Sequence, residues 1–209
     1  MNLQKISISY TELPQNWSWV RLNQLCVQDR KIIQPGSHAS ISLPYLSMEH
    51  IESQTGRILR TSSTLVEDEG KSTTFAFNNS HILYGKLRPY LNKVALPDFC
   101  GRCTTELIPL LPNPNVSRRY LAWLLRRPET VEFAMKETTG SRMPRANIDK
   151  LLLLQVPVPN LIEQQEKLAD AMDEQMNSIE HAKKACLEQL TLIDKLLVRL
   201  RTDFPLMIE

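Results

Sequence analysis

This chain is short of several things, and each shortage narrows what it can be. It has 4 cysteines in 209 residues, Cys26, Cys100, Cys103 and Cys186. They are too few and too scattered for a disulfide framework. Cys100-Gly-Arg-Cys103 has the CxxC spacing of a zinc or redox pair. No second CxxC or HxxxH supplies further ligands, and His81, the nearest histidine, has no partner at a suitable spacing. We read two thiols in a turn before a strand and expect no metal. With 6 glycines and no low-complexity tract, most of the chain should fold. Its longest uncharged apolar runs, such as Leu151 to Pro159, fall far short of the ~20 residues a membrane helix needs. Within residues 1 to 20 only Lys5 is basic, and Glu12 and Pro14 interrupt the place where a signal peptide has its apolar core. We therefore expect a cytoplasmic protein with no membrane partner.

Enzyme signatures are short as well. The sequence has no GxSxG, no P-loop and no HExxH. Glu69-Gly-Lys71 matches the ExK half of a magnesium-dependent nuclease site and Pro97-Asp98 the other half. They stand in reverse order, and no Asp/Glu-x-Lys follows Asp98. Charge of either sign is nearly balanced at +2 overall, but unevenly placed. Residues 1 to 160 carry 19 Lys/Arg against 13 Asp/Glu, an excess of six positive charges. Residues 161 to 209 carry 6 against 10, an excess of four negative charges. A moderately basic globular part suits a polyanionic partner without demonstrating one.

What is present begins with a long helix. Asn160-Leu-Ile-Glu163, after Pro159, reads as a capping box. From Ala169 two registers repeat every seven residues: Met172, Ile179, Cys186, Ile193 and Leu200, and Ala169, Met176, Lys183, Leu190 and Leu197. Lys183 is the single charged residue among these seam positions. No Gly or Pro intervenes before Pro205, which predicts a helix of ~40 residues and ~60 Å. A narrow, sustained seam with charged residues on most other faces predicts a two-helix coiled coil. The alternative is a long amphipathic helix folded back on its own domain.

Residues 1 to 159 read as an α+β domain. Runs with strand character occur at "ISLPYLSM", "GRILRTS", "STTFAFNN", "HILYGKL", "NKVALPD" and "TTELIPLLP", separated by turn formers. "SRRYLAWLLRRPETVEFAMKETTG" is helical in pattern, with Ser117 as cap, Pro128 opening a second helix and Gly140 ending it. Asn147 caps a short turn through Lys150, and "LLLLQVPVP" is a buried strand closing the domain before Asn160 starts the long helix. The organisation is a mixed α/β domain with a short-stranded sheet over 1–159, then a coiled-coil helix over 160–209.

The succession "LPQNWSWVRL", "YLSMEHIESQTGRI", "ILYGKLRPYLNKV", "TTELIPLLP", "RYLAWLLRRPE", "GSRMPRANIDKL" and "VPVPNLIEQQEKLA" resembles the specificity subunit of type I restriction-modification systems. It spans nearly the whole chain, and the specific feature is seven pieces in the family's order, ending in a Pro-x-Pro-x-x-x-x-Gln passage into a long helix. The resemblance implies a target recognition domain that reads double-stranded DNA. It also implies long helices that pack antiparallel as a spacer and as a docking surface for methyltransferase (M) subunits, with the restriction (R) subunit joining through the complex. The usual member carries two recognition domains and two helical segments, whereas this chain has room for one of each. It therefore resembles a half-subunit. As a homodimer it would face a split, palindromic target; pairing with a different half-subunit would give an asymmetric one.

The same resemblance points to two stretches as DNA contacts: Lys86, Arg88, Tyr90, Asn92 and Lys93 in "YGKLRPYLNK", and Arg142 and Arg145 in "GSRMPR". They combine donors for phosphates and base edges. Base readers are expected in spans that vary within the family, here Lys31 to His38, Arg57 to Lys71 or Gly101 to Arg102. Arg118, Arg119, Arg126 and Arg127 are expected on a solvated helix face. An adenine methyltransferase would need a Gly-rich nucleotide site and an Asn- or Asp-Pro-Pro-aromatic motif, and the sequence has neither. The expectation is a non-catalytic component without a cofactor of its own, S-adenosylmethionine, ATP and magnesium residing on partner subunits. The dimerisation residues would be Met172, Met176, Ile179, Cys186, Leu190, Ile193, Leu197 and Leu200. The competing readings are a coiled-coil adaptor or decoy half-subunit without DNA selectivity, and a metal-dependent nuclease.

Overall fold

The computed structural model describes residues 13–59, 70–136, 138–139 and 142–203. Among these, the architecture is α+β, with a 42-residue helix following the mixed part. The chain divides into two compact units, one ending at Glu166 and one beginning at Lys167. The division thus falls inside the long helix rather than at Asn160.

In the first unit, the apolar run Leu107 to Pro112 forms β9 (Leu107–Pro112), with Leu107, Ile108 and Leu110 essentially inaccessible. A strand buried on both faces needs apolar residues at consecutive positions rather than alternation. β9 lies between β2 (Cys26–Gln28) and β6 (Ile82–Gly85), and β7 (Val94–Ala95) completes that sheet in the order β2-β9-β6-β7. A second sheet has the order β3-β5-β8-β4, from β3 (Ile32–Ile33), β4 (Tyr45–Leu46), β5 (Thr74–Phe77) and β8 (Gly101–Thr104). β4 runs parallel to β8 and the other pairs are antiparallel. A short helix, α1 (Leu22–Leu25), leads into β2, and β10 (Thr138–Thr139) pairs antiparallel with β11 (Arg145–Ala146). One apolar cluster draws on both sheets: Leu46, Phe77 and Cys103 from the second, Leu83, Ala95 and Leu107 from the first, with Ile51 between. Burying a Leu or Phe in such a cluster contributes on the order of 2 kcal/mol.

The expected strands appear in shortened form, and "GRILRTS" contributes an isolated bridge, Ile58 to Ile51, with residues 60–62 outside those described. β1 (Trp17–Arg21) was not expected; it pairs antiparallel with β12 (Gln155–Pro159), Trp17 opposite Pro159 and Arg21 opposite Gln155. β12 carries Pro157 and Pro159, which a two-stranded ribbon tolerates because each strand has an unpaired edge. The "LLLLQVPVP" run is therefore only partly strand. Leu151 closes α5 (Ile148–Leu151), where Asn147 Oδ1 accepts from Lys150 N at 3.1 Å as the cap reading requires.

Helix α3 (Arg118–Arg126) begins where Ser117 Oγ accepts from Tyr120 N at 3.2 Å, and α4 (Pro128–Lys136) opens on Pro128. Gly140 lies outside the described residues. α6 (Ile162–Asp203) starts one residue later than a cap at Asn160 would give. Asn160 Oδ1 instead accepts from Ser18 Oγ at 2.8 Å, so the capping box is not formed as expected. The side chain that anchors the first turn is Gln165, only 3% exposed. Its Oε1 accepts from Ser117 N at 2.9 Å and its Nε2 donates to Pro159 O at 3.0 Å. Tyr120 OH donates to Pro157 O at 3.0 Å, a direct tie between α3 and the proline strand.

Candidate nucleic-acid interface

The stretch after β6 becomes a tight knuckle because Pro89 opens a 3-10 turn, Pro89–Leu91, between two residues in the left-handed region, Arg88 (φ 51°) and Asn92 (φ 52°). A non-glycine residue there costs on the order of 1 kcal/mol, so the surroundings must hold it. Gln54, itself at φ 69°, donates from its backbone N to Leu91 O and from Nε2 to Tyr90 O, each at 3.1 Å. Asn92 Nδ2 donates to Arg126 O at 3.0 Å and to Gln54 Oε1 at 3.3 Å. The Arg126 guanidinium donates to Val94 O through Nε (3.2 Å) and Nη2 (2.6 Å). Gly56, at φ 70°, packs so closely that a Cβ would collide with Val94 O and lie 2.5 Å from Arg126 Nη2. Lys93 Nζ donates to Met48 O at 2.7 Å; burial pulls its pKa down, and the charge of Glu49 acts the other way.

The knuckle is joined by the second predicted stretch. Arg88 N donates to Pro144 O at 2.7 Å, Ala146 N donates to Lys86 O at 2.8 Å, and Leu87 bridges antiparallel to Arg145. Glu106, beside β9, binds both sides. Its Oε1 and Oε2 accept from Arg145 Nε at 3.0 and 3.2 Å, and Oε2 lies 3.9 Å from Lys86 Nζ. The fold thus brings together two stretches far apart in sequence. Lys86, Asn92, Lys93 and Arg145 hold contacts within the chain, while Arg88, Arg142 and Tyr90 (47% exposed) are open to solvent. Gly140 and Ser141 lie outside the described residues. Sequence reasoning missed Gln54 and Glu106 as organisers. Nothing local marks either one, because their partners stand 20 to 39 residues away.

The other candidate spans fall differently. Arg102 is 2% exposed in β8, with its guanidinium 4.8 Å above the Tyr45 ring, so it is a core residue and not a base reader. In the first span Ile32 is exposed, and Ser37 caps α2 (His38–Ser42). Arg57 is held by Glu52, Nε to Oε2 at 3.1 Å and Nη2 to Oε1 at 3.1 Å. Residues 60–69 of that span lie outside the described residues, and with them the ExK motif's acid. The expected solvated face of α3 is also corrected in part. Arg118 donates from Nε to His81 O at 2.9 Å and from Nη2 to Pro97 O at 2.7 Å, and burial lowers its pKa. Arg118 and Arg126 therefore saturate backbone carbonyls, a role that sequence pattern does not distinguish from surface charge. Of the CxxC pair, Cys100 is exposed and Cys103 is buried, its thiol pushed up by desolvation. Among the described residues no group of three His, Cys, Asp or Glu is placed to hold a metal ion.

In the second unit the seam is open from Met172 onward, while Ala169 at its start is buried. Met172, Ile179, Cys186, Leu190, Ile193, Leu197 and Leu200 are exposed, and Met176 is half-buried. Leu187, Leu192, Leu196 and Val198 are exposed as well, widening the apolar arc in the helix's later turns. Among the described residues no helix is long and apolar enough to cross a membrane.

Comparison with known proteins agrees with this geometry. The family model for the type I restriction modification DNA specificity domain matches residues 14–189. The type I restriction enzyme EcoDI specificity subunit of Escherichia coli is 31% identical over 176 residues, covering 79% of this chain and 38% of that protein. The HsdS subunit from Thermoanaerobacter tengcongensis has the same fold, with a TM-score of 0.69 at 19% identity over 84% of this chain and 46% of that one. A chain from a structure of a type I R-M system, solved to explain its assembly and conformational transition, also gives 0.69, at 21% identity over 87% and 48%. This chain spans less than half the length of each of these relatives. Since the family match runs through the globular unit and on into most of the long helix, the chain belongs to the type I restriction-modification DNA specificity family.

Proposed function

We propose that this chain is a half-length specificity component that selects one half of a bipartite DNA target and pairs through α6, antiparallel, with a second copy. In this reading the knuckle at Arg88 to Asn92 and the loop at Arg142 to Arg145 lie against DNA, Arg88, Tyr90 and Arg142 making direct contacts. Lys86, Asn92, Lys93 and Arg145 set the shape of that surface, and Lys86, Lys93 and Arg145 add to its positive potential. The partners are double-stranded DNA, methyltransferase subunits and, through them, the restriction subunit. S-adenosylmethionine, ATP, magnesium and all bond-making belong to those subunits.

The observation that carries this reading is the family match over residues 14–189, which takes in the globular unit and the first part of a helix with an open apolar seam. The test is selection from random duplexes with the purified chain at two salt concentrations, alongside its mass by light scattering. A dimer near twice 24.0 kDa that enriches a split palindrome, with affinity falling as salt rises, is expected. A chain that methylates or cuts DNA unaided would refute the assignment of chemistry to partners. A second reading, a coiled-coil adaptor or decoy without sequence selectivity, draws support from the internal bonds of Lys86, Asn92, Lys93 and Arg145. It predicts dimers that enrich no sequence.

A further inference from the structure

Arg88 N donates to Pro144 O, Ala146 N donates to Lys86 O, and Leu87 bridges to Arg145, so residues 86–88 and 144–146 run side by side and antiparallel. Just beyond that pairing lie Tyr90 on one segment and Arg142 and Met143 on the other, which puts all three on one tip. Paired strands lie ~4.8 Å apart, and a tip made of two strand ends fits the ~12 Å major groove of B-DNA, which admits a two-stranded ribbon. The chemistry exposed there is restricted. Arg88 and Arg142 are exposed and make no side-chain bond among the described residues. Tyr90 and Met143 are 47% and 44% exposed. Adenine is recognised by an Asn or Gln amide and cytosine by a carboxylate. The amides beside the tip, Asn92 and Gln54, bond to each other and to backbone carbonyls. The carboxylate, Glu106, holds Arg145 and Lys86. Base edges therefore meet guanidinium, which matches guanine O6 and N7, and apolar surface, which matches the thymine methyl. The spans expected to carry base readers offer less, because Arg102 is in the core and Arg57 is held by Glu52.

We propose that this tip enters the major groove and selects guanine beside thymine, with Arg88 and Arg142 donating to guanine O6 and N7 and Met143 covering a thymine methyl. This inference rests on the DNA reading proposed above and adds the class of base that its half-site contains. Pro89, Pro144 and the left-handed residues Arg88 and Asn92, each tied to the rest of the unit, hold the backbone of the tip in one shape. Little of it has to be ordered on binding, which favours a selective contact from so small a surface.

The test starts from the duplexes that the full-length wild-type chain enriches from a random library. That pool is copied with natural nucleotides, with deoxyuridine for thymidine, and with 7-deazaguanine for guanine, and each copy is titrated by fluorescence anisotropy. Loss of the thymine methyl should weaken wild-type binding about fourfold, and loss of guanine N7 about tenfold. Met143→Ala should abolish most of the uracil penalty. Arg88→Lys and Arg142→Lys, which keep the charge but not the planar fork, should each shrink the deazaguanine penalty. Penalties that are absent, or that persist unchanged in these variants, overturn base selection by this tip and leave DNA selection by the chain standing. A chain that enriches no sequence overturns DNA selection and this inference with it.

Discussion

Replacing Glu106 with Gln separates two jobs that one carboxylate performs. Glu106 accepts two hydrogen bonds from Arg145 Nε, at 3.0 and 3.2 Å, and sits 3.9 Å from Lys86 Nζ. The Arg145 and Glu106 side chains are 41% and 22% exposed, so solvent screens the pair in part. A charge-assisted hydrogen bond at such a site contributes ~1 kcal/mol after screening, and the longer lysine contact at most ~0.5. Glu106→Gln should therefore destabilise the chain by about 1 to 2 kcal/mol in urea unfolding, read from the midpoint at constant slope. Its effect on DNA should have the opposite sign. Two cations lose their internal counter-charge, and each new phosphate contact steepens the slope of log K against log salt by ~0.9. Between 50 and 200 mM salt, each such contact multiplies the fall in affinity about 3.5-fold. The assay is fluorescence anisotropy with a random duplex at four salt concentrations. A variant that is less stable, binds more tightly at low salt and has a steeper slope supports the reasoning. Weaker binding at every salt with an unchanged slope would refute neutralisation and make Glu106 a residue that positions Arg145 for contact.

Asn92→Ala should cost about 2 to 3 kcal/mol and Asn92→Gly about 1 to 2, because both lose the Nδ2 hydrogen bonds while only alanine keeps the left-handed penalty; equal losses in urea unfolding would sink the backbone part of this account. Cys26, whose thiol burial pushes up to about 12, and buried Cys103 should react with an aromatic disulfide at mildly alkaline pH only after denaturation, whereas exposed Cys100 reacts in the native state. Cys186 then reports on the helix, reacting as freely as Cys100 in a monomer and slowly once the seam is covered. Burial alone would raise the Glu129 carboxyl, but its hydrogen bonds to the backbone and to Arg127, with the charge of Arg127, hold it below its ordinary 4.5. A lowered folded-state value contributes stability above the unfolded value that is lost as pH falls through the folded one. Wild type should therefore be slightly more stable than Glu129→Gln near neutrality, with the gap closing below about pH 4.5 in thermal melts, and a gap that widens in acid would contradict the sign.

Local chemistry by itself determined the elements whose signals lie within a few residues. The uninterrupted heptads from Ala169 to Leu200 dictated one long helix, because no glycine or proline relieves that period. Ser117 and Asn147 declared their caps through bonds that span three residues, and the order of motifs was enough to identify the family. Tertiary structure decided whatever depends on partners far along the chain. Asn160 looks like a cap, but Ser18, 142 residues away, takes its oxygen, and Gln165 does the anchoring. Arg102, Arg118 and Arg126 look like surface charge, yet one is buried over an aromatic ring and the others bind backbone carbonyls. Glu106 gathers Lys86 and Arg145 into one site although no local pattern marks it. The physical reason is the range of the forces involved. Helix periodicity and capping act within one or two turns, whereas burial and charge pairing depend on which segments the sheets bring side by side.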